Sequence, residues 1–264
     1  MNSISKFWTL GQLSLKKEFI YRIDFLFSIF VVPTILVVNY FVWKAVFSLN
    51  EIVAGFTFDQ MMAYLVFGQL ISIFIFNSTS GEIQRKVQSG DFAQDLLKPI
   101  HMFYFLLAGA TSARFLAFFL EVVPLTVIAW LLFKFTIPQG IVLGLFIVSL
   151  VLAFMLNFII AFIVGLIAFW TVKVEAFQWL TWIVLRVFSG EFFPLSLLPL
   201  PAQTVSHFLP FEYLRYRIAM IAVNNSVQEG LWTVAGQLAW IVILSTVSIW
   251  LWRVVIKKFT TAGG

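Results

Sequence analysis

Runs of apolar residues alternate with short polar interruptions along this chain, and about 20 apolar residues suffice to cross a hydrocarbon core of roughly 30 Å. Read from the gaps between charges, these runs predict membrane-spanning helices at Phe25–Trp43, Met61–Ser80, Ala113–Phe133, Ile141–Trp170 and Leu231–Trp252. A further apolar region, residues 176–211, contains Arg186, Glu191 and four prolines, Pro194, Pro199, Pro201 and Pro210. It reads as another span, from Phe177 to about Gly190, followed by broken segments over residues 191–230. Non-helical backbone at membrane depth persists only where protein or water satisfies it. The broken part is therefore expected to dip into the outer leaflet against other helices.

Two passages depart from this pattern. Over residues 1–24, Ile4, Phe7, Trp8, Leu15 and Phe19 recur near helical spacing among Lys6, Lys16, Lys17 and Arg22, which predicts an interfacial helix on the inner membrane surface. Residues 81–99, GEIQRKVQSGDFAQDLLKP, form a charge-dense insert between spans two and three. Glu82 to Gln88 can make one helix with Ile83 and Val87 on one face, and Gly90 interrupts it. Asp91 and Gln94 fit a capping box that opens a second short helix, which Pro99 stops. Leu96 and Leu97 then need a cover: a groove on another protein, or the membrane surface beside Phe92.

Composition fixes the class. With 61% hydrophobic, 18% aromatic and 11% charged residues and a mean hydropathy of +0.99, the chain reads as an all-α integral membrane protein forming one domain over residues 1–264. The net charge of +5 is explained by topology rather than by nucleic acid. Six spans with cytosolic termini place eleven Lys and Arg residues inside and only Lys44, Lys134, Arg215 and Arg217 outside. Cysteine is absent, which removes disulfides and thiolate chemistry. His101 and His207 stand apart, so no metal site is expected. The acidic residues lie mostly in loops and make no catalytic constellation.

Polar side chains in lipid-depth helices face protein or water. Span two offers Gln69, Ser72 and Asn77, and span five offers Gln178, Trp182, Arg186 and Ser189, whose spacing of four, four and three puts them on one face. Such a stripe lines a pathway or glues a dimer, and the sequence leaves both open. Arg186 and Glu191 are five apart, roughly 140° around a helix, so they pair only if the helix breaks at Gly190. On span three, Arg114 is expected to snorkel to the inner surface, while Glu121 lies deeper, either as a structural carboxyl or as a proton-coupling group.

Two segments resemble the type-2 ABC transporter permeases, in the six-span branch without a fused ATPase or a large extracellular domain. SGDFAQDLLKPI, Ser89 to Ile100, is similar to the cytosolic coupling-helix region of that family. FSGEFFPLSLLPLPAQTVSHFLPF, Phe188 to Phe211, matches a re-entrant motif at Ser189, Gly190, Phe193, Pro194, Leu195, Pro199, Leu209 and Pro210. Glu191, where an apolar residue is more usual, and LRYRIAM, which lacks a proline after Tyr213, depart from the pattern.

The resemblance implies a half-transporter in a prokaryotic plasma (inner) membrane. Two permease chains, alike or different, would form the pathway, and two cytosolic ABC ATPase subunits, carrying ATP and Mg, would bind the coupling helices. It implies ATPase coupling through Glu82, Arg85, Asp91, Phe92, Leu96, Leu97, Lys98 and Pro99, and a pathway or dimer interface that includes Glu191. It gives Gly190, Pro194, Pro199 and Pro210 a structural role. No G-x-x-x-x-G-K-[ST] loop occurs in the chain, so ATP hydrolysis would belong to a partner. An amphiphilic substrate moved outward is the expected cargo. The rival reading is a self-sufficient, ion-coupled secondary transporter using Glu121 and Arg186.

Overall fold

The computed structural model describes residues 22–96, 100–171 and 175–262. Nearly all of the interfacial helix expected over residues 1–24, and Leu97, Lys98 and Pro99, lie outside the described residues. Among the described residues the fold is helical, apart from an isolated bridge between Val53 and Phe56.

Helix α1 (Arg22–Phe47) is followed by α2 (Phe58–Ile75), which opens with a reciprocal capping box between Thr57 and Gln60. The insert forms α3 (Thr79–Ser89) and α4 (Phe92–Leu96), separated by Gly90 in the left-handed conformation at φ +81°. The Gln94 N–H donates to the Asp91 backbone carbonyl, and the Asp91 carboxylate accepts from the Ser89 hydroxyl. Next come α5 (Met102–Ala117), a π-helical turn (Phe118–Val122), α6 (Val123–Phe133) and the long α7 (Gly140–Leu166). The π-turn ends two residues before Pro124, which has no N–H to donate and whose ring crowds the preceding turn; widening the helix accommodates both.

Helix α8 (Glu175–Phe188) leads into the broken region: a 3₁₀ turn (Leu195–Leu197), α9 (Leu200–His207), a second 3₁₀ turn (Pro210–Leu214) and α10 (Tyr216–Asn224). Pro194, Pro199 and Pro210 each stand at the start of one of these pieces, where the missing N–H is harmless. The last helix, α11 (Val227–Ala262), has 36 residues and is about 54 Å long.

Among the described residues, five stretches are long and apolar enough to cross a membrane: Ile29–Phe47, Phe58–Ser89, Met102–Phe133, Gly140–Phe169 and Val227–Lys257. The expected fifth span, α8, has 14 described residues, about 21 Å of helix, and is shorter than these. The third helical stretch begins at Met102 rather than Ala113, because residues 102–112 are apolar and His101 caps them. The second span stops as a helix at Ile75 instead of running to Ser80.

Helix α7 is the packing hub. Ala153, Leu156, Phe158 and Phe162 are buried along it, and it meets α2 and α10 in one core cluster and α3, α5 and α11 in a second. Polar bonds fix its contact with α11: the buried Ser149 hydroxyl donates to Gln237 Oε1 at 2.9 Å, and Gln237 Nε2 donates to the Ser149 and Tyr213 carbonyls.

Candidate functional site

A cavity of about 920 Å³ runs between α2, α7 and α8. It starts at Ser80, in the first turn of α3, passes Asn77, Gln69 and Ser72, and ends against Glu191 and Arg215. Gln178, Trp182 and Arg186 line it from α8, so the stripe predicted on that helix faces the cavity. Glu121, carried by the π-turn, lines it as well. Ser189 does not line it: this residue is fully buried behind the wall.

The end of the cavity next to α3 exists because α2 stops. Its interruption at residues 76–78 frees backbone carbonyls, and other helices claim them. Arg114 Nη1 donates to the Ile73 carbonyl at 2.8 Å, and Asn157 Nδ2 donates to the Ile75 carbonyl at 2.7 Å. Arg114 is held at the break, with its guanidinium 5.3 Å from the centre of the Phe76 ring.

At the other end, α8 stops at Phe188 and Gly190 turns the chain at φ +76°. A Cβ there would sit 2.5 Å from the Tyr64 hydroxyl, which donates to the Gly190 carbonyl, so the position demands glycine twice over. The turn carries Glu191 back onto Arg186, at 2.9 Å. Arg215 reaches the same carboxylate at 3.1 Å while donating to Ser72 at 2.7 Å and Ser189 at 2.9 Å. The Arg186 guanidinium also stacks over Trp182, 3.9 Å from its centroid. A low-dielectric site tolerates Glu191 because two guanidiniums neutralise it. Separately, buried Glu212 accepts from Arg217 at 3.0 Å and pairs with His207 Nδ1 at 2.8 Å.

Arg215 escaped the sequence reading, which counted it among outer loop charges. The usable signal was balance: Glu191 and Glu212 lie in the same apolar broken region as Arg215 and Arg217, and buried acids require buried bases.

The insert folds as an elbow against the opposite end of α7. Ile83 is fully buried against Gly165, where a Cβ would fall 2.7 Å from Ile83 Cδ1 and 3.1 Å from Ser80 Cα. Lys86 bridges Glu82 at 3.0 Å and Asp95 at 2.7 Å. Phe92, assigned to the coupling surface from the sequence, is 1% exposed and packs on Phe169 and Trp252. It anchors the elbow from inside. Arg85, Ser89 and Asp91 form the exposed face.

Over residues 34–263 the chain matches the family described as ABC-2 family transporter protein. It belongs to that family. No curated protein matches it significantly. As an ABC-2 permease the chain is a membrane transport subunit, not itself a catalyst, of a family that typically works with ATPase subunits.

At the start of this permease's third long helix, His101 Nδ1 accepts from the Phe103 N–H at 3.2 Å, which requires a neutral ring. Burial pulls the imidazole below its ordinary value and keeps it neutral at pH 7. A lowered folded-state value means that the cap contributes fully above pH about 6.5 and is lost as pH falls through that lowered value. The thermal midpoint of the wild type is expected to fall more between pH 7.5 and 5.0 than that of His101→Asn, whose amide caps without titrating. Equal falls would contradict a titrating cap.

Proposed function

We propose that this chain is the membrane subunit of an ATP-driven exporter, which pairs with a second permease chain, identical or homologous, to enclose a path along the α2–α7–α8 cavity. Separate ABC ATPase subunits, two per complex and carrying ATP and Mg, dock on the elbow. In this reading α8 is the fifth of six spans, residues 191–230 lie in the outer leaflet, and both termini are cytosolic in a prokaryotic inner membrane. The observation that carries it is the continuity between cavity and elbow: Ser80 belongs to α3 and also lines the end of the cavity next to it. A push on α3 therefore reaches the cavity wall without an intermediary.

Cavity chemistry suits an amphiphile, since the tryptophan, carboxamide and guanidinium groups of α8 share the cavity with the apolar Ile160, Ala161 and Val164 of α7. Purification of a tagged chain from its native membrane is expected to bring down a P-loop ATPase. The double charge reversal Arg85→Glu, Asp91→Lys on the exposed elbow face should cut the ATPase recovered about tenfold, as expected for lost charge complementarity. Full recovery with the reversed face, or ATP-independent uptake by the chain alone in proteoliposomes, would refute the reading. The latter result would favour an ion-coupled carrier built on Glu121 and Arg186.

A further inference from the structure

A second cavity, of about 530 Å³, opens at the end of the helices opposite the elbow. It lies between the first turn of α2, the end of α6 with the loop after it, α1 and the end of α10. Met62, Ala63, Ala222 and Val223 contribute apolar surface to it. One wall is an aromatic cluster in which the Tyr40 ring meets Phe58 at 5.4 Å and Phe133 at 5.9 Å between centroids. The two charged lining residues have opposite sign: Asp59 and Lys134. Both are exposed, and neither has an ion-pair partner among the described residues.

Lys134 is the residue that ends α6, and it does so in the left-handed conformation at φ +49°, with its N–H on the Trp130 carbonyl at 2.9 Å. Glycine adopts that conformation without steric cost and is the usual occupant of such a cap. Its backbone role would therefore be filled better by glycine, and what lysine adds is an ammonium on a flexible stem at the cavity mouth.

The level of the cavity says what reaches it. Tyr40 and Trp43 on α1 and Trp130 on α6 lie near these helix ends, as aromatic side chains do at the boundary between hydrocarbon and headgroups. The α6 surface leading away from the mouth is apolar and open, with Leu131 63% and Trp130 50% exposed. A ligand seated here has a polar end bearing both charges, against Asp59 and Lys134, and an apolar body that follows α6.

We propose that this cavity is a headgroup site for a zwitterionic phospholipid with a primary ammonium, the phosphate against Lys134 and the ammonium against Asp59. A carboxylate accepts hydrogen bonds from a primary ammonium but none from a quaternary one, so the site distinguishes phosphatidylethanolamine from phosphatidylcholine. The anionic phosphatidylglycerol satisfies Lys134 and leaves Asp59 unmatched. The site is separate from the α2–α7–α8 cavity and does not depend on the direction or cargo of transport.

The test is native mass spectrometry of the delipidated full-length protein, titrated in turn with phosphatidylethanolamine, phosphatidylcholine and phosphatidylglycerol of identical acyl chains. One phosphatidylethanolamine is expected to bind about tenfold more tightly than either of the others. Lys134→Gly should weaken the binding of all three lipids about tenfold, since each loses its phosphate contact, while the thermal midpoint stays level or rises because the backbone strain is relieved. Asp59→Asn should bring phosphatidylethanolamine and phosphatidylcholine to parity, and Lys134→Arg should retain the preference. Indifference of the wild type to headgroup, or a Lys134→Gly protein that binds the lipids as tightly as the wild type, would overturn the proposal. Soluble glycerophosphoethanolamine displacing the lipid at equal concentration would also overturn it, because the ligand would then need no acyl chains.

Discussion

Arg215→Ala is expected to lower the stability of the protein by about 3–5 kcal/mol, the cost of removing one partner from a buried ion pair. It is also expected to abolish transport. All three guanidinium nitrogens are engaged: Nε with Ser72, Nη1 with Ser189 and Nη2 with Glu191. Those partners sit on α2 and on the turn after α8, and Arg215 itself begins α10, so one side chain ties three elements together. Its loss leaves Glu191, whose side chain is 9% exposed, with Arg186 alone. Arg215→Lys should recover little, since a point ammonium cannot reproduce a planar fork with three separate partners.

The thermal midpoint, followed by tryptophan fluorescence in detergent or nanodiscs, reads the stability. The Glu191→Gln, Arg215→Ala double variant should lose less than the sum of the single losses, because the pair acts as a unit. A wild-type midpoint in Arg215→Ala would show that the cluster is decorative.

Gly165→Val is expected to uncouple rather than unfold. The added Cβ meets Ile83 Cδ1 at 2.7 Å, which could rotate away, but also Ile83 Cβ at 3.0 Å and Ser80 Cα at 3.1 Å, which move only with the α3 backbone. Overpacking of this kind costs about 1–3 kcal/mol. The displacement falls on the helix whose first turn borders the cavity. In the assembled complex the expected result is ATP hydrolysis that continues while substrate moved per ATP drops severalfold. Ile83→Ala added to Gly165→Val should restore only part of the coupling, because the Ser80 contact remains. Unchanged transport per ATP in Gly165→Val would mean that force does not pass through this crossing.

Both experiments rest on features with very different visibility in the sequence. The elbow was legible because its signals are local: Gly90 ends one helix, Asp91 precedes the next, and the polar run is bounded by apolar ones. The partners of its charges were not, since Lys86 to Asp95 spans the Gly90 turn. The conditional pairing of Arg186 with Glu191 was legible from helix geometry, and the break at Gly190 satisfied the condition. The third partner, Arg215, is 24 positions further on and meets Glu191 only because the broken region folds back. The early stop of α2 was invisible for the same reason. Nothing in residues 76–78 forbids helix, and what stabilises the break is supplied by Arg114 and Asn157 from other spans.

Hydrophobic runs were sufficient by themselves to establish an all-helical membrane protein, because bilayer thickness and backbone hydrogen bonding act on one segment at a time, and the resemblance carried by two short segments pointed to the ABC-2 family. Tertiary structure alone decided which polar residues share a cavity, which carbonyls a distant side chain caps, and that Phe92 faces inward. Those outcomes depend on where helices cross, and a crossing is a property of two segments that neither contains.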